Sequence, residues 1–354
     1  SSAASDVYKR QLLVALILLM RYKAISMTQG HLRDSIELKY CKLIWIIIVL
    51  LAALRGIKVG ADTAGYWADY LRMPFYSFTK LNDRYQGYLG YYYTSKVFSL
   101  LKLPVQVWFG FVEALYVYAL YLLSKRFSKD LLLSILVFVT IGMFTFSMAG
   151  LKQVMSMSFM ILAFLCFVDK KYVRTIVYIL IASLCHSAGL ILLATIPLYW
   201  IRNRKIFLPL IGITGVTSYF FGSLLLTTMV KVLGNDHFES YLVLNTSYSS
   251  VTLIFYCSIF IMSIVGYESY KVNEPNDAMF ILGMSLLVCS MQALATISPN
   301  MFRLALCYAP FMMIMIPNVL FYSEDRYLRF IVIGSIIFYF LYVTRNTPYS
   351  FYWH

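Results

Sequence analysis

The chain has 354 residues, of which 61% are hydrophobic and only 13% are charged. A soluble domain is about half apolar and a quarter charged, so this composition indicates a protein whose main solvent is lipid. The net charge of +14 does not indicate binding to nucleic acid, because the basic residues stand in short groups between apolar runs. The six cysteines show neither metal-ligand nor disulfide-framework spacing and are expected to be small residues in helix packing. No metal site is apparent in the sequence, and we expect no cofactor.

The apolar runs predict an all-α, polytopic integral membrane protein. Residues 1–11 have the character of a leader outside the fold, and we expect 12–354 to form a single transmembrane domain. A helix crosses a bilayer in about 20 apolar residues, and the number of such runs predicts about 10–12 transmembrane helices. The clearest candidates are 43–54, 105–123, 131–149, 151–168, 175–199, 206–229, 250–267, 277–297, 304–322 and 330–344.

Two long polar connections, 55–87 and 230–249, are rich in Tyr, Asp and Asn and are predicted to be external loops. Segment 85–103 is rich in tyrosine and has Lys96 at its middle. This pattern favours an amphipathic helix lying at the membrane interface over a full crossing.

Basic loops at 21–42, 124–130, 169–174 and 200–205 should all face the cytoplasm. The first polar connection, 55–87, and the tip of the hairpin near Gly150 then face outside. One run, 175–199, lies between two basic loops. A break near His186 would make it a re-entrant pair and keep both loops inside, whereas a single tilted helix would invert everything that follows.

Ionisable residues at membrane depth are the best candidates for function, because each costs roughly 2.5–3.5 kcal/mol at a helix centre. The turn from Arg55 to Tyr66 contains a single acid, Asp62, which is a candidate general base or a partner for Arg55. Arg55 could instead extend to the interface, and Asp62 could be a solvated loop residue. Lys152 and Gln153, at the hairpin tip, suit a diphosphate and sugar hydroxyls, or else anchor the helix at the surface.

His186 is a second candidate catalytic residue, as a base or as a phosphate contact, unless it is a hydrogen-bonded core histidine. Arg303 follows Pro299 at a helix start, where a guanidinium can bind a diphosphate with two hydrogen bonds or anchor the helix end. Aromatic residues of the tail, including Tyr349, could form an interfacial belt or stack on sugars.

In this order, these elements resemble the EpsG-like, Wzy-type polysaccharide polymerases of bacterial envelopes. The resemblance covers nearly everything after residue 40. Two departures are that lysine replaces the arginine of an Arg-Gln pair, and that serine directly follows the histidine. The matching elements are Arg55 with Gly60, Asp62 and Tyr66; Lys152-Gln153; His186 with Ser187; Arg303 with Tyr308; and Pro348-Tyr349.

The resemblance implies a glycosyltransferase that polymerises undecaprenyl-diphosphate-linked oligosaccharides at the outer face of the bacterial cytoplasmic membrane. The residues then divide into three roles: Asp62 and His186 as catalytic residues; Arg55, Lys152, Gln153 and Arg303 as diphosphate and substrate contacts; Tyr66 and Tyr349 as sugar-stacking residues. A chain-length-regulating co-polymerase is a further candidate partner, beside the lipid bilayer itself. The alternatives are another lipid-phosphate-dependent glycosyltransferase or a ligase, and a flippase for lipid-linked sugars.

Overall fold

A computed structural model describes residues 2–27, 31–201, 204–233, 250–345 and 349–353. Within these ranges the chain is an array of helices, and the only strand-like pairing is one bridge between Arg55 and Phe351. The helices are α1 Ser2–Met27, α2 His31–Ala53, α3 Thr63–Arg72, α4 Phe78–Arg84, α5 Leu89–Leu100, α6 Val105–Phe127, α7 Leu131–Thr140, α8 Met143–Ala149, α9 Leu151–Val168, α10 Tyr172–Cys185, α11 Thr195–Trp200, α12 Arg204–Leu233, α13 Val251–Val265, α14 Tyr267–Asn273, α15 Ala278–Leu294, α16 Phe302–Tyr322 and α17 Arg326–Thr344.

The described helices divide into two compact units. The first contains residues 1–192 and 336–354, with a core built on α6 to α9. The second contains residues 193–335, with a core built on α15 and α16. The second unit is therefore inserted in sequence between the two parts of the first.

In the described part of the chain, four helices, α6, α9, α16 and α17, are long and apolar enough to cross a membrane. Two bent pairs, α7 with α8 and α13 with α14, pass the same test as broken spans, with bends of 58° and 59°. These helices confirm the prediction of an all-α polytopic membrane protein. An expected total of 10–12 crossings would also require shorter apolar helices, such as α10 and α15, to cross.

Helix boundaries follow from local capping and charge. The last turn of α6 carries Lys125 and Arg126, which favour the negative end of the helix dipole. After a short turn, the Asp130 carboxylate caps α7 by accepting from the Leu133 backbone N–H at 2.8 Å. The other oxygen of Asp130 accepts from Arg21 at 2.8 Å, which attaches α1 to this corner.

The polar connection 55–87 is organised as short helices rather than as an irregular loop. It contains α3, a 3-10 turn at Met73–Phe75 and α4. The next helix, α5, has 12 residues and a length of about 18 Å, so it cannot cross the roughly 30 Å of a bilayer. A full crossing at 85–103 is thus excluded, as expected. Lys96, however, is buried, and its ammonium donates to the Met73 and Tyr76 carbonyls, so it fastens α5 to this segment.

The break predicted near His186 is present. Helix α10 ends at Cys185, His186 is extended (φ −169°, ψ 131°), and a 3-10 segment follows at Ser187–Ala194. The division between the two units falls inside that segment, so a reversal of the chain after His186 stays a prediction. Of the connection at 230–249, residues 234–249 lie outside the described residues.

Candidate functional site

The turn between α2 and α3 is built around the hydroxyl of Thr63. This hydroxyl donates to the Val59 carbonyl at 2.6 Å and lies 3.2 Å from the Met148 carbonyl on α8. It also accepts from Nε of Arg55 at 3.4 Å. Gly60 has φ of +91°, and a Cβ there would lie 2.7 Å from the Met148 oxygen, so only glycine suits this position. The turn is thereby held against the hairpin tip that carries Lys152.

Arg55 does not extend to the interface, because its side chain is fully buried. Its Nη1 donates to the Ala52 carbonyl, and its guanidinium carbon lies 4.2 Å from the centre of the Phe109 ring. Burial lowers the pKa of Arg55 to about 10, which still leaves it cationic at neutral pH. In this structure Arg55 supports the turn from beneath and presents no atom to solvent.

Glu113, one helical turn after Phe109 on α6, supplies a negative charge to the same interior. It is fully buried, and Oε1 accepts from the Ser147 hydroxyl at 3.0 Å. Glu113 and Arg55 attract one another without a direct ion pair. Sequence reasoning missed Glu113, although it is an acid inside an apolar run, and the cost of such a residue at membrane depth was the available signal.

Lys152 lies at the start of α9 beneath a group of tyrosine rings, and it is half-buried. Its ammonium is 4.3 Å from the ring centre of Tyr88, 5.5 Å from that of Tyr92 and 5.8 Å from that of Tyr66. Ring faces attract a cation without neutralising its charge. The three rings therefore hold the ammonium at the start of α9. Its neighbour Gln153 is almost fully buried.

His186 lies beside the same tyrosines, with its ring centre 5.1 Å from that of Tyr88. Nδ1 accepts from the Ala188 backbone N–H at 3.0 Å, so in the neutral imidazole the proton is on Nε2. A side chain in this tautomer offers a hydrogen-bond donor at Nε2. This geometry favours the phosphate contact over the general base among the two roles expected for His186.

The break at His186 is fixed to α9 by Ser156. The Ser156 hydroxyl lies 2.9 Å from the Ala182 carbonyl and 2.8 Å from the His186 carbonyl, two oxygens at the end of α10. Gly189 packs so closely on Ser156 that a Cβ there would be 2.2 Å from the serine oxygen. His186 and Lys152 are thus both set by the first two turns of α9.

Asp62 immediately precedes α3 and is half-buried. Its backbone carbonyl accepts from the Tyr66 N–H at 3.0 Å, while its carboxylate makes no capping bond to the helix. The Tyr66 ring that follows Asp62 by one turn is also a ring that contacts Lys152. Asp62 therefore lies on the same side of the first unit as Lys152 and the three tyrosine rings around it, Tyr66, Tyr88 and Tyr92, which together are called the Lys152 group.

The tail packs along the end of α2. The Tyr349 hydroxyl donates to the Leu51 carbonyl, the Gly56 N–H donates to the Ser350 carbonyl at 2.7 Å, and the Tyr352 N–H donates to the Leu54 carbonyl at 3.0 Å. Tyr349 is buried. Its observed contacts support the Arg55 segment, and its expected stacking on a sugar stays a prediction. Pro348 lies outside the described residues.

Arg303 is the second residue of α16, directly after the 3-10 turn Pro299–Met301, as the sequence predicts. It is half-buried and belongs to the second unit, whereas the other candidates belong to the first. Tyr308, which follows it on α16, is buried.

The first unit therefore brings a half-buried carboxylate, an ammonium on tyrosine faces and an imidazole N–H to one region. Cations and donors of this kind suit an anionic leaving group, and the carboxylate suits proton removal from a hydroxyl. Among the described residues no group of three or more His, Cys, Asp and Glu side chains could hold a metal ion.

The fold defines a multi-pass helical membrane protein, and its first unit carries this group of ionisable and aromatic side chains. A family model then matches residues 38–353, nearly the whole chain, and the protein belongs to the EpsG family. That family is associated with polysaccharide polymerases. No curated protein and no solved structure matches the chain.

Proposed function

We propose that the protein is a membrane glycosyltransferase that polymerises undecaprenyl-diphosphate-linked oligosaccharides at the outer face of the bacterial cytoplasmic membrane. The observation that carries the proposal is the Lys152 ammonium, held on three tyrosine faces next to His186 and the Asp62 turn. Membership of the EpsG family supports the same function.

In the proposed reaction, the bond between the anomeric carbon of the growing chain and its lipid diphosphate breaks. A hydroxyl of the incoming lipid-linked unit forms the new glycosidic bond with that carbon. The hydroxyl proton passes to Asp62, and the bonding electrons leave with the diphosphate. The Lys152 ammonium and the His186 Nε2–H stabilise the charge that develops on this leaving group.

The other candidates have supporting roles in this scheme. Arg55 acts through Thr63 to fix the Asp62 turn, because its buried guanidinium reaches the turn and not the surface. Gln153 belongs to the same helix start as Lys152 and is a candidate contact for sugar hydroxyls. Arg303 is a proposed diphosphate contact carried by the second unit, and a chain-length-regulating co-polymerase is a proposed partner.

The test of the reaction is incubation of purified protein in nanodiscs with synthetic lipid-linked repeat units, followed by electrophoresis of the products. We expect a ladder of polymers from the wild type. The Asp62→Asn variant should lose about 10²–10⁴-fold in rate, because it keeps shape but not basicity. Asp83→Asn, on exposed α4, is the matched control and should retain the ladder. Activity of Asp62→Asn equal to the control would overturn the assignment, and lipid translocation without polymer would identify a flippase.

The test of location uses single cysteines at positions 203 and 301 in a cysteine-free background. With a reversal after His186, a membrane-impermeant reagent applied to intact cells should label position 301 and leave 203 unlabelled. Position 301 lies just before Arg303. The opposite pattern would place Arg303 on the cytoplasmic side and remove it from the proposed reaction.

A further inference from the structure

A second carboxylate, Asp69 on α3, lies next to the Lys152 group and has no part in the reaction described above. Its Oδ1 accepts from the Tyr85 hydroxyl at 2.9 Å, and its Oδ2 accepts from the Tyr92 hydroxyl at 3.0 Å. The Tyr85 and Tyr92 rings are stacked, with centres 3.7 Å apart. Both tyrosines are buried, whereas Asp69 is half-buried. The carboxylate is therefore fixed from its buried side and accessible from the other.

The two tyrosine hydroxyls keep Asp69 in one orientation as a hydrogen-bond acceptor. Burial raises the pKa of Tyr85 to about 12, with Asp69 adding to the shift, and burial likewise raises the pKa of Tyr92. Both hydroxyls thus remain protonated donors at neutral pH. A carboxylate has about four acceptor positions, and the two tyrosines use two of them, one on each oxygen. The remaining pair can accept from two neighbouring hydroxyl groups at once.

The surroundings of Asp69 add a basic, aromatic rim. Arg84 is exposed, and its Nε lies 3.2 Å from the Tyr85 hydroxyl. Tyr76 is half-buried, and the Lys80 ammonium lies 4.6 Å from its ring centre. Tyr92 connects this rim to the proposed diphosphate site, since its ring is also 5.5 Å from the Lys152 ammonium.

We propose that Asp69 is the centre of a sugar-binding subsite, where its carboxylate accepts hydrogen bonds from two vicinal hydroxyls of a pyranose ring in the lipid-linked substrate. The inference rests on the proposed function for the identity of the substrate, and it adds a recognition element that the sequence pattern did not indicate. The Tyr92 ring lies between Asp69 and the Lys152 ammonium. A sugar bound to Asp69 would therefore be close to a diphosphate bound at Lys152. The alternative is that Asp69 only attaches α3 to the end of α4 through Tyr85 and to α5 through Tyr92.

The experiment measures binding of the free repeat-unit oligosaccharide, without lipid or diphosphate, to purified protein by isothermal titration calorimetry. Asp69→Asn should weaken binding about tenfold or more, because hydrogen bonds to a charged acceptor are lost. The double variant Tyr85→Phe with Tyr92→Phe removes the attachment but keeps the carboxylate, and it should weaken binding several-fold less. Tyr93→Phe, which removes a hydroxyl on α5 that donates to Asn82 on α4, is the matched control.

A loss of affinity and of melting temperature that is equal in Asp69→Asn and the double tyrosine variant would identify a structural attachment and overturn the subsite. Wild-type affinity in Asp69→Asn would overturn it as well. Because the assay contains no transfer step, its result is separate from the proposed function. Binding lost in Asp69→Asn with no polymer from any protein would retain the subsite and reject the polymerase.

Discussion

Arg55 and Lys152 lie in one unit and carry the same charge, yet their surroundings differ completely. Arg55 is fully buried between the Phe109 ring, the Ala52 carbonyl and the Thr63 hydroxyl, with Glu113 as a nearby counter-charge. Lys152 is half-buried against tyrosine faces beside a histidine. Burial with fixed partners makes Arg55 part of the framework, whereas Lys152 is partly exposed and is held against ring faces beside His186.

The largest effect should come from breaking the buried charge arrangement. Arg55→Met leaves Glu113 buried without its counter-charge, and Glu113→Met does the same to Arg55, so each should lower stability by about 3–5 kcal/mol. The double variant should recover much of that loss, because both charges are then absent. Thermal unfolding of the purified proteins in detergent measures all four states.

Additive losses in that cycle would show that Arg55 and Glu113 are not coupled. Ser147→Ala, which removes only the hydrogen bond to Glu113, is a milder companion and should cost about 1–3 kcal/mol.

The second prediction concerns Lys152, where the expected loss is in rate and not in stability. Lys152→Met should lower polymerisation by about 10²–10³-fold, as the removal of one preorganised electrostatic donor does elsewhere. Its unfolding temperature should stay near that of the wild type, because methionine can occupy the space under the tyrosines. Lys171→Met, at an exposed lysine paired with Asp169, is the control and should retain activity. Unfolding of Lys152→Met as severe as that of Arg55→Met would erase the contrast between the two cations.

The smallest expected effect is at Tyr88, the ring nearest to the Lys152 ammonium. Tyr88→Leu removes the ring face and should lower activity about 3- to 30-fold, the range of a partly desolvated cation–π contact. Tyr88→Phe keeps the face and should stay within about twofold of the wild type. Initial rates at saturating and limiting substrate distinguish the two variants. A larger loss in Tyr88→Phe would assign the function to the hydroxyl instead of the ring.

Much of the fold could be predicted because apolar length and charge placement are local properties. The hairpin tip at Gly150, the break at His186 and the start of α16 before Arg303 all agree with the sequence prediction. Whether a polar side chain is buried or exposed depends on packing between distant parts of the chain, which the spacing of residues in the sequence does not show. Lys96 was expected on an interfacial helix, and Arg55 was expected to contact a diphosphate or to extend to the interface, but both are buried.

The candidate site shows the same limit. Asp62, Lys152 and His186 could be identified because ionisable residues are rare at membrane depth. Asp69 became visible only through its two tyrosine partners, whereas Glu113 carried a sequence signal, an acid inside an apolar run, that was missed. Tyr88 could not be chosen among the many tyrosines of 85–103, because its position between Lys152 and His186 is tertiary.

The contact between Tyr349 and Leu51 joins positions 298 residues apart, and it closes over the segment that holds Arg55. A ribosome makes this chain from the N-terminus, so the tail emerges only after the whole second unit has been synthesised. Contacts between residues far apart in sequence form late, because the intervening chain must first be brought into a closed loop, which costs entropy. The support beneath the Asp62 turn is therefore completed only after residues 193–335 have been synthesised, so the nascent chain acquires its assembled centre after the second unit has been made.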